Sequence, residues 1–252
     1  MTRTAATILL ACGLGFCLTG CSKKDGTDKT GQLTIAVIPK GTIHEFWKTV
    51  HAGAEMAGQE LGVEVLWKGP LKEDDREAQI GVVENIITRK VNGIVLAPLD
   101  DAALRRPVDE AMQSGIPVVI FDSGLQGDNY ISYVATDNFK AGQLAGQCMA
   151  KLLNGKGKVA VLRYAEGSYS TTRREDGFLD VLRAFGGIEI ATSNQYAGVT
   201  TESALTAAEN LLSRFGTTEG NLQIDGIFCA TEPTTLGILR ALQNAGYAGK
   251  IR

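Results

Sequence analysis

The sequence predicts an α/β protein of two lobes built on parallel sheets, with a ligand cleft between the lobes. Three observations carry this. Short β-prone apolar runs alternate with amphipathic helical stretches from Leu33 onward, which is the pattern of βαβ units in a parallel sheet. The alternation forms two series of similar length that meet near Ala135–Asn138. At 252 residues the chain is too long for one ordinary domain and fits two modest lobes.

The first series opens with LTIAVIPKGTIHEFW (Leu33–Trp47), in which an apolar strand to Ile38 runs into a Pro39–Thr42 turn and then a helix. Strands are expected at Leu33–Ile38, Val63–Trp67, Gly93–Ala97 and Pro117–Phe121, with helices near 45–61, 74–90 and 103–114. In the first helix Phe46, Val50, Ala54, Ala57 and Leu61 fall at helical spacing, and Gly62 stops it. A short strand at Tyr130–Ala135 leads to Asp137-Asn138, which can cap a helix to about Leu153. That helix is expected to bury Ala141, Leu144, Ala145, Cys148 and Leu152. The second series has strands Lys158–Arg163, Ile188–Asn194 and Gly226–Ala230, with helices near 172–185, 202–215 and 232–245. The lobes are expected to span 33–136 and 137–252. Lys250-Ile251-Arg252 reads as the opening of a further strand that cannot pair usefully, so the second lobe is expected to be incomplete and the sequence truncated at its carboxyl end.

Composition narrows the function classes. A formal charge of −3 gives no basic footprint for nucleic acid. Ala5–Leu18 is an apolar run too short for a comfortable membrane span and suited to a signal-peptide core, with Arg3 ahead of it. It ends in Leu18-Thr19-Gly20-Cys21, similar to a bacterial lipobox. Residues 1–20 are therefore expected to be a signal peptide, Cys21 to be lipidated, and residues 21–32 to include a polar tether. Cys148 and Cys229 are the cysteines of the folded part; both are expected to be buried, and no disulfide is expected between them. GxxxxGK[ST], HExxH, CxxC and GxSxG are all missing, and His44 and His51 are the only histidines. No catalytic residue, metal site or cofactor is expected.

In open α/β sheets ligands bind beyond the carboxyl ends of the strands. Lys40 follows the first strand there and can donate to a ligand oxygen, or stay solvated. Asp122, in VVIFDSG, can accept from adjacent hydroxyls, or cap its turn. Phe46 and Trp47 are adjacent, so one should pack inward and the other look toward the strand ends, where a ring can stack on the C–H face of a sugar. His44 can donate to a ligand or cap the helix. In the second series, the run Ser168–Phe178 opens a helix on which Arg174 can reach the cleft with a planar fork, while Arg173 points elsewhere. Thr231 and Glu232 start the last helix and can touch a hydroxyl or complement the helix dipole. Asp137 can serve as hinge, cap or ligand contact, and Tyr196 is a weaker stacking candidate.

Taken together, IAVIPKGTIHEFW, ITRKVNGIVLAPLD, SGIPVVIFDSG, VATDNFKAGQLAG, STTRREDGF and IFCATEPTTLGILRALQNAG, in that order, resemble the periplasmic sugar-binding proteins of the ribose-binding type, whose fold is shared with the ligand domains of LacI-type repressors. The resemblance implies two flavodoxin-like lobes, with helices on both faces of parallel sheets, that close on a ligand without catalysis and deliver it to an ABC transporter permease. It places ligand contacts on Lys40, His44, Phe46, Trp47, Asp122, Ser123, Arg174, Thr231 and Glu232. The expected ligand is a monosaccharide or polyol, and the expected protein is a lipid-anchored monomer outside the cytoplasm. Lys40 with Asp122 is also similar to the autoinducer-2-binding branch. A sensor feeding a signalling receptor, and a sugar-hydrolysing enzyme on the same lobes, stay open as alternatives.

Overall fold

The computed structural model describes residues 31–252 apart from Thr218. The expected signal peptide (1–20), the lipidation at Cys21 and most of the tether lie outside the described residues. Among those described, the first series is β1 (Thr34–Ile38), α1 (Glu45–Leu61), β2 (Glu64–Trp67), α2 (Arg76–Thr88), β3 (Gly93–Leu96), α3 (Arg105–Gln113), β4 (Val118–Phe121) and β5 (Ser132–Val134). The second is α4 (Asn138–Leu152), β6 (Gly157–Arg163), α5 (Tyr169–Arg183), β7 (Ile188–Tyr196), α6 (Thr201–Phe215), β8 (Gly226–Cys229) and α7 (Glu232–Asn244).

The first sheet has the order β2-β1-β3-β4-β5 with every neighbour parallel, which is the flavodoxin-like winding. Ala36 lies opposite both Leu66 and Ile94, and Ile94 opposite Val118. Period-two alternation sends Ala36, Ile38, Ile94, Leu96, Val118 and Ile120 to one face, where Val83 and Ile86 of α2 and Val108 and Ala111 of α3 close the core. The opposite face meets α1 across an apolar groove lined by Ile35, Val37, Val119, Val50 and Ala54. The expected stripe on α1 therefore faces the sheet, yet Leu61 is exposed there.

The second sheet, β7-β6-β8, is also parallel. Val159 and Val161 pack against α4 and α5, while Ala160 and Leu162 face α6 and α7. Thr200 caps α6 in a reciprocal pair with Ser203, satisfying N–H groups that a helix start leaves open.

Three details differ from expectation. Leu144, Cys148 and Leu152 are exposed, and α4 instead buries Gly142, Gly146, Met149 and Ala150. The cause is backbone proximity: a Cβ on Gly142 would overlap the Arg174 carbonyl, and one on Gly177 would overlap that of Phe139. Glycines set the contact with α5, and the branched residues are turned outward. Cys229 is half-buried, with its thiol pKa raised by burial; both cysteines are free. Finally, Arg252 does pair. Its N–H donates to the Asp225 carbonyl at 2.9 Å, and its carbonyl accepts from the Ile227 N–H at 2.8 Å, beside β8.

Candidate ligand cleft between the lobes

A cavity of about 170 Å³ opens where the carboxyl ends of the two sheets face each other. Its walls come from both lobes: Lys40, His44, Phe46, Trp47, Glu73 and Asp122 from the first, and Tyr164, Ser170, Thr171, Arg174, Thr231, Glu232 and Pro233 from the second. A water molecule's share of liquid volume is about 30 Å³. The cavity thus has room for several waters, and covalently bonded atoms sit closer, so one small ring fits.

The turn after β1 supplies a buried charge to the cavity wall. Lys40 is 3% exposed, and its Nζ donates across the cleft to Ser168 Oγ at 3.2 Å and Ser170 Oγ at 2.9 Å. The same nitrogen lies 3.6 Å from Asp122 Oδ2. Burial pulls the ammonium's pKa down, and Asp122 and Glu73 oppose that. The serines take two of the ammonium's three donors, and Asp122 balances its charge at ion-pair distance. Asp122, at the end of β4, adopts φ 62°, a left-handed conformation uncommon outside glycine although Asp tolerates it better than most residues. Its N–H donates to the Val134 carbonyl at 3.0 Å. That bond holds the turn with the carboxylate toward the cavity.

Ser123 is fully buried and does not line the cavity. Its Oγ accepts from the Ser170 N–H at 3.1 Å, so a residue of the first lobe caps the first turn of α5 in the second. Asp137 is also outside the cavity: it caps α4 by accepting from the Lys140 N–H at 2.9 Å. Its neighbour Asn138 supports the site from outside the cavity, accepting from Arg174 Nε at 2.8 Å. Arg174 Nη1 donates to the Ala230 carbonyl at 2.6 Å, which leaves Nη2 for a ligand. Arg173 instead stacks over Phe139, and Tyr196 sits under Arg163, away from the cleft.

Of the adjacent aromatics, Trp47 is the inward one, at 2% exposure, and Phe46 is half exposed. Their rings meet edge to face at 4.9 Å. His44 occupies the N-cap position of α1 without capping it, and its buried Nε2 has no hydrogen-bond partner. Thr231 shares a hydrogen bond with Thr234, and Glu232 carries the acidic charge in the first turn of α7.

Glu73 was not singled out from sequence. It lies between β2 and α2, and its Oε1 accepts from the Trp47 indole N–H at 2.8 Å. Gly41 makes this reach feasible, since a Cβ there would approach Glu73 Cγ to 2.9 Å. Tyr164 faces Glu73 from the second lobe, and its hydroxyl pKa is raised by burial and then by that carboxylate. Gln79, also missed, is fully buried: it donates to the Pro39 and Ala97 carbonyls at 2.9 and 2.8 Å and accepts from the Leu99 N–H at 2.8 Å. It ties together the loops after β1 and β3. The one warning in the sequence was a polar residue on the apolar face of α2.

A pair of parallel α/β lobes lining one polar, aromatic-walled cavity defines a two-lobed ligand-binding protein. Residues 35–252 match the periplasmic binding protein domain, and the chain belongs to that family. It is 27% identical over 251 residues to the ribose import binding protein of Bacillus subtilis, covering 97% of this chain and 78% of the relative. Among solved structures, the periplasmic component of an ABC-type sugar transport system from Hahella chejuensis superposes with a TM-score of 0.81 at 33% identity, covering 86% of this chain and 77% of the other. An ABC transporter solute-binding protein from Agrobacterium vitis with bound D-fucose gives 0.80 at 37%, covering 86% and 74%. The protein is a periplasmic binding protein and not an enzyme.

Proposed function

We propose that the chain is the solute-binding component of an ABC importer that captures a pentose, a hexose or a similar polyol between its lobes and presents it to the permease. The observation that carries this is the single cavity walled by Asp122 and Phe46 from one lobe and by Arg174 and Glu232 from the other. Carboxylates accept from ring hydroxyls, the free Arg174 nitrogen donates to a ring oxygen, and Phe46 offers a face to C–H groups. Micromolar binding requires about −8 kcal/mol. Spread over the dozen heavy atoms of a monosaccharide, this is about −0.7 kcal/mol per atom, within the range for small ligands. Such efficiency requires contact on all sides, which two closing lobes provide. A ligand touching both lobes stabilises the closed arrangement because it binds that arrangement better. In this reading His44, Trp47 and Thr231 shape the site, Lys40 and Ser123 join its rims, and Asp137 holds α4 in place.

The lobes divide at 136/137, signal peptidase removes residues 1–20, and lipidated Cys21 tethers a monomer to the membrane through residues 22–32. The Cys21 proposal is checked by labelling with a lipid precursor, which Cys21→Ala should abolish.

A thermal-shift screen of pentoses, hexoses and polyols tests the ligand class. Ligand at a hundred times Kd adds about 2.7 kcal/mol, which is roughly 5–10 °C for a chain of this size. A set of shifts confined to one or two stereoisomers is the expected result; no shift with any sugar, polyol or autoinducer would overturn the reading.

A further inference from the structure

We propose that Glu73 makes this cleft discriminate against acidic sugars, favouring a neutral polyol over its aldonate or uronate, while it holds Trp47 in place. The proposal rests on the sugar-binding reading and deepens it at the same site.

Glu73 is 12% exposed, and its carboxylate lines the cavity. Its close hydrogen bond, from the Trp47 indole, comes from a neutral donor and leaves the charge in place. Of the cations nearby, Lys40 is engaged and Arg174 keeps one nitrogen, Nη2, for the ligand. Lys40 bonds Ser168 and Ser170 and lies beside Asp122, and Arg174 spends two nitrogens on Asn138 and the Ala230 carbonyl. His44 Nε2 sits 3.8 Å from Glu73 Oε1, beyond hydrogen-bond distance. Glu73, Asp122 and Glu232 thus bring three carboxylates to the walls against two fixed cations, Lys40 and Arg174. The valences left for a ligand are mainly acceptors, which suits hydroxyl donors. Like charges brought together in a partly desolvated cleft repel strongly, so a ligand carboxylate is disfavoured. The indole bond also stops Glu73 from swinging away when an anion approaches.

The test is calorimetry on the mature protein with three matched pairs of probes: D-galactose and D-galacturonate, D-glucose and D-glucuronate, D-ribose and D-ribonate. For each pair in which the sugar binds, the wild type should prefer it over its acid by about tenfold or more. Glu73→Gln keeps an oxygen for the indole and removes the charge, so it should shrink that ratio by about tenfold. Glu73→Asp, which keeps the charge, should preserve the ratio. Trp47→Phe removes the indole bond, leaves a smaller ring and keeps the charge; it should weaken the neutral sugar while the ratio stays above that of Glu73→Gln. An acid that binds the wild type as tightly as its neutral partner would overturn the proposal and leave the sugar-binding reading standing. So would an unchanged ratio in Glu73→Gln. If neither these sugars nor any sugar or polyol of the thermal-shift screen binds, the sugar reading falls and takes the proposal with it.

Discussion

Replacing Lys40 with methionine should loosen the closed arrangement of the lobes. Lys40 Nζ makes two hydrogen bonds to serines on the opposite lobe, at 2.9 and 3.2 Å. A bond from a charged donor contributes about 1.5–3 kcal/mol net of its exchange with water. Full burial of the ammonium, which pulls the Lys40 pKa down, offsets part of what the pair contributes. The lower figure for one such bond, about 1.5 kcal/mol, corresponds to roughly a tenfold shift in the ratio of closed to open molecules. Methionine fills the space and carries no donor. The assay is the distance between spin labels at Lys48 and Leu236, both exposed and on opposite lobes, in a Cys148→Ser background. Lys40→Met should broaden that distribution and move it to longer distances in sugar-free protein. An unchanged or narrower distribution would refute the reasoning, because it would mean that desolvation cancels or outweighs the bonds.

Other outcomes follow from the same geometry. Because burial lowers the Lys40 pKa, the unfolded chain holds that proton more tightly than the folded one as pH approaches 10.5. Lys40 should therefore add stability as pH rises through that window and lose it as pH falls, and denaturant titrations of Lys40→Met should lack this slope. Gln79→Leu strands two buried carbonyls and an N–H, each costing about 1–3 kcal/mol; both the melting temperature and sugar affinity should fall. Gly177→Ala drives a methyl into the Phe139 carbonyl. Overpacking of this kind costs typically about 1–3 kcal/mol, so its denaturation midpoint should drop with m unchanged.

The fold was legible because strand and helix periods differ so plainly. Each expected strand is present; most are trimmed at an end, as at Leu33 and Pro117, while β6 already starts at Gly157 and β7 runs on to Tyr196. The phase of α4 was misread because hydrophobicity pointed to Leu144 and Cys148, whereas glycines at 142 and 146 decide how closely α5 approaches. A four-residue glycine spacing was the available signal. For the site, residues directly after strands were readable, since topology alone brings Lys40, Asp122 and Thr231 to the sheet ends. What each does there was less readable. Ser123 and Lys40 turn their polar atoms to the N-terminus of α5, a choice that depends on how two distant loops meet. Glu73 was invisible for the same reason: thirty-odd residues separate it from the first turn, and only the folded chain sets it beside Trp47.

The claim that the ligand is gripped from both lobes is tested most directly by calorimetric Kd values for the tightest sugar with Asp122→Ala and with Arg174→Ala. Losses of about tenfold or more in both variants are expected, since each removes a polar contact from one wall. Wild-type affinity in either variant would show that one lobe binds alone, and the two-sided clamp would be wrong.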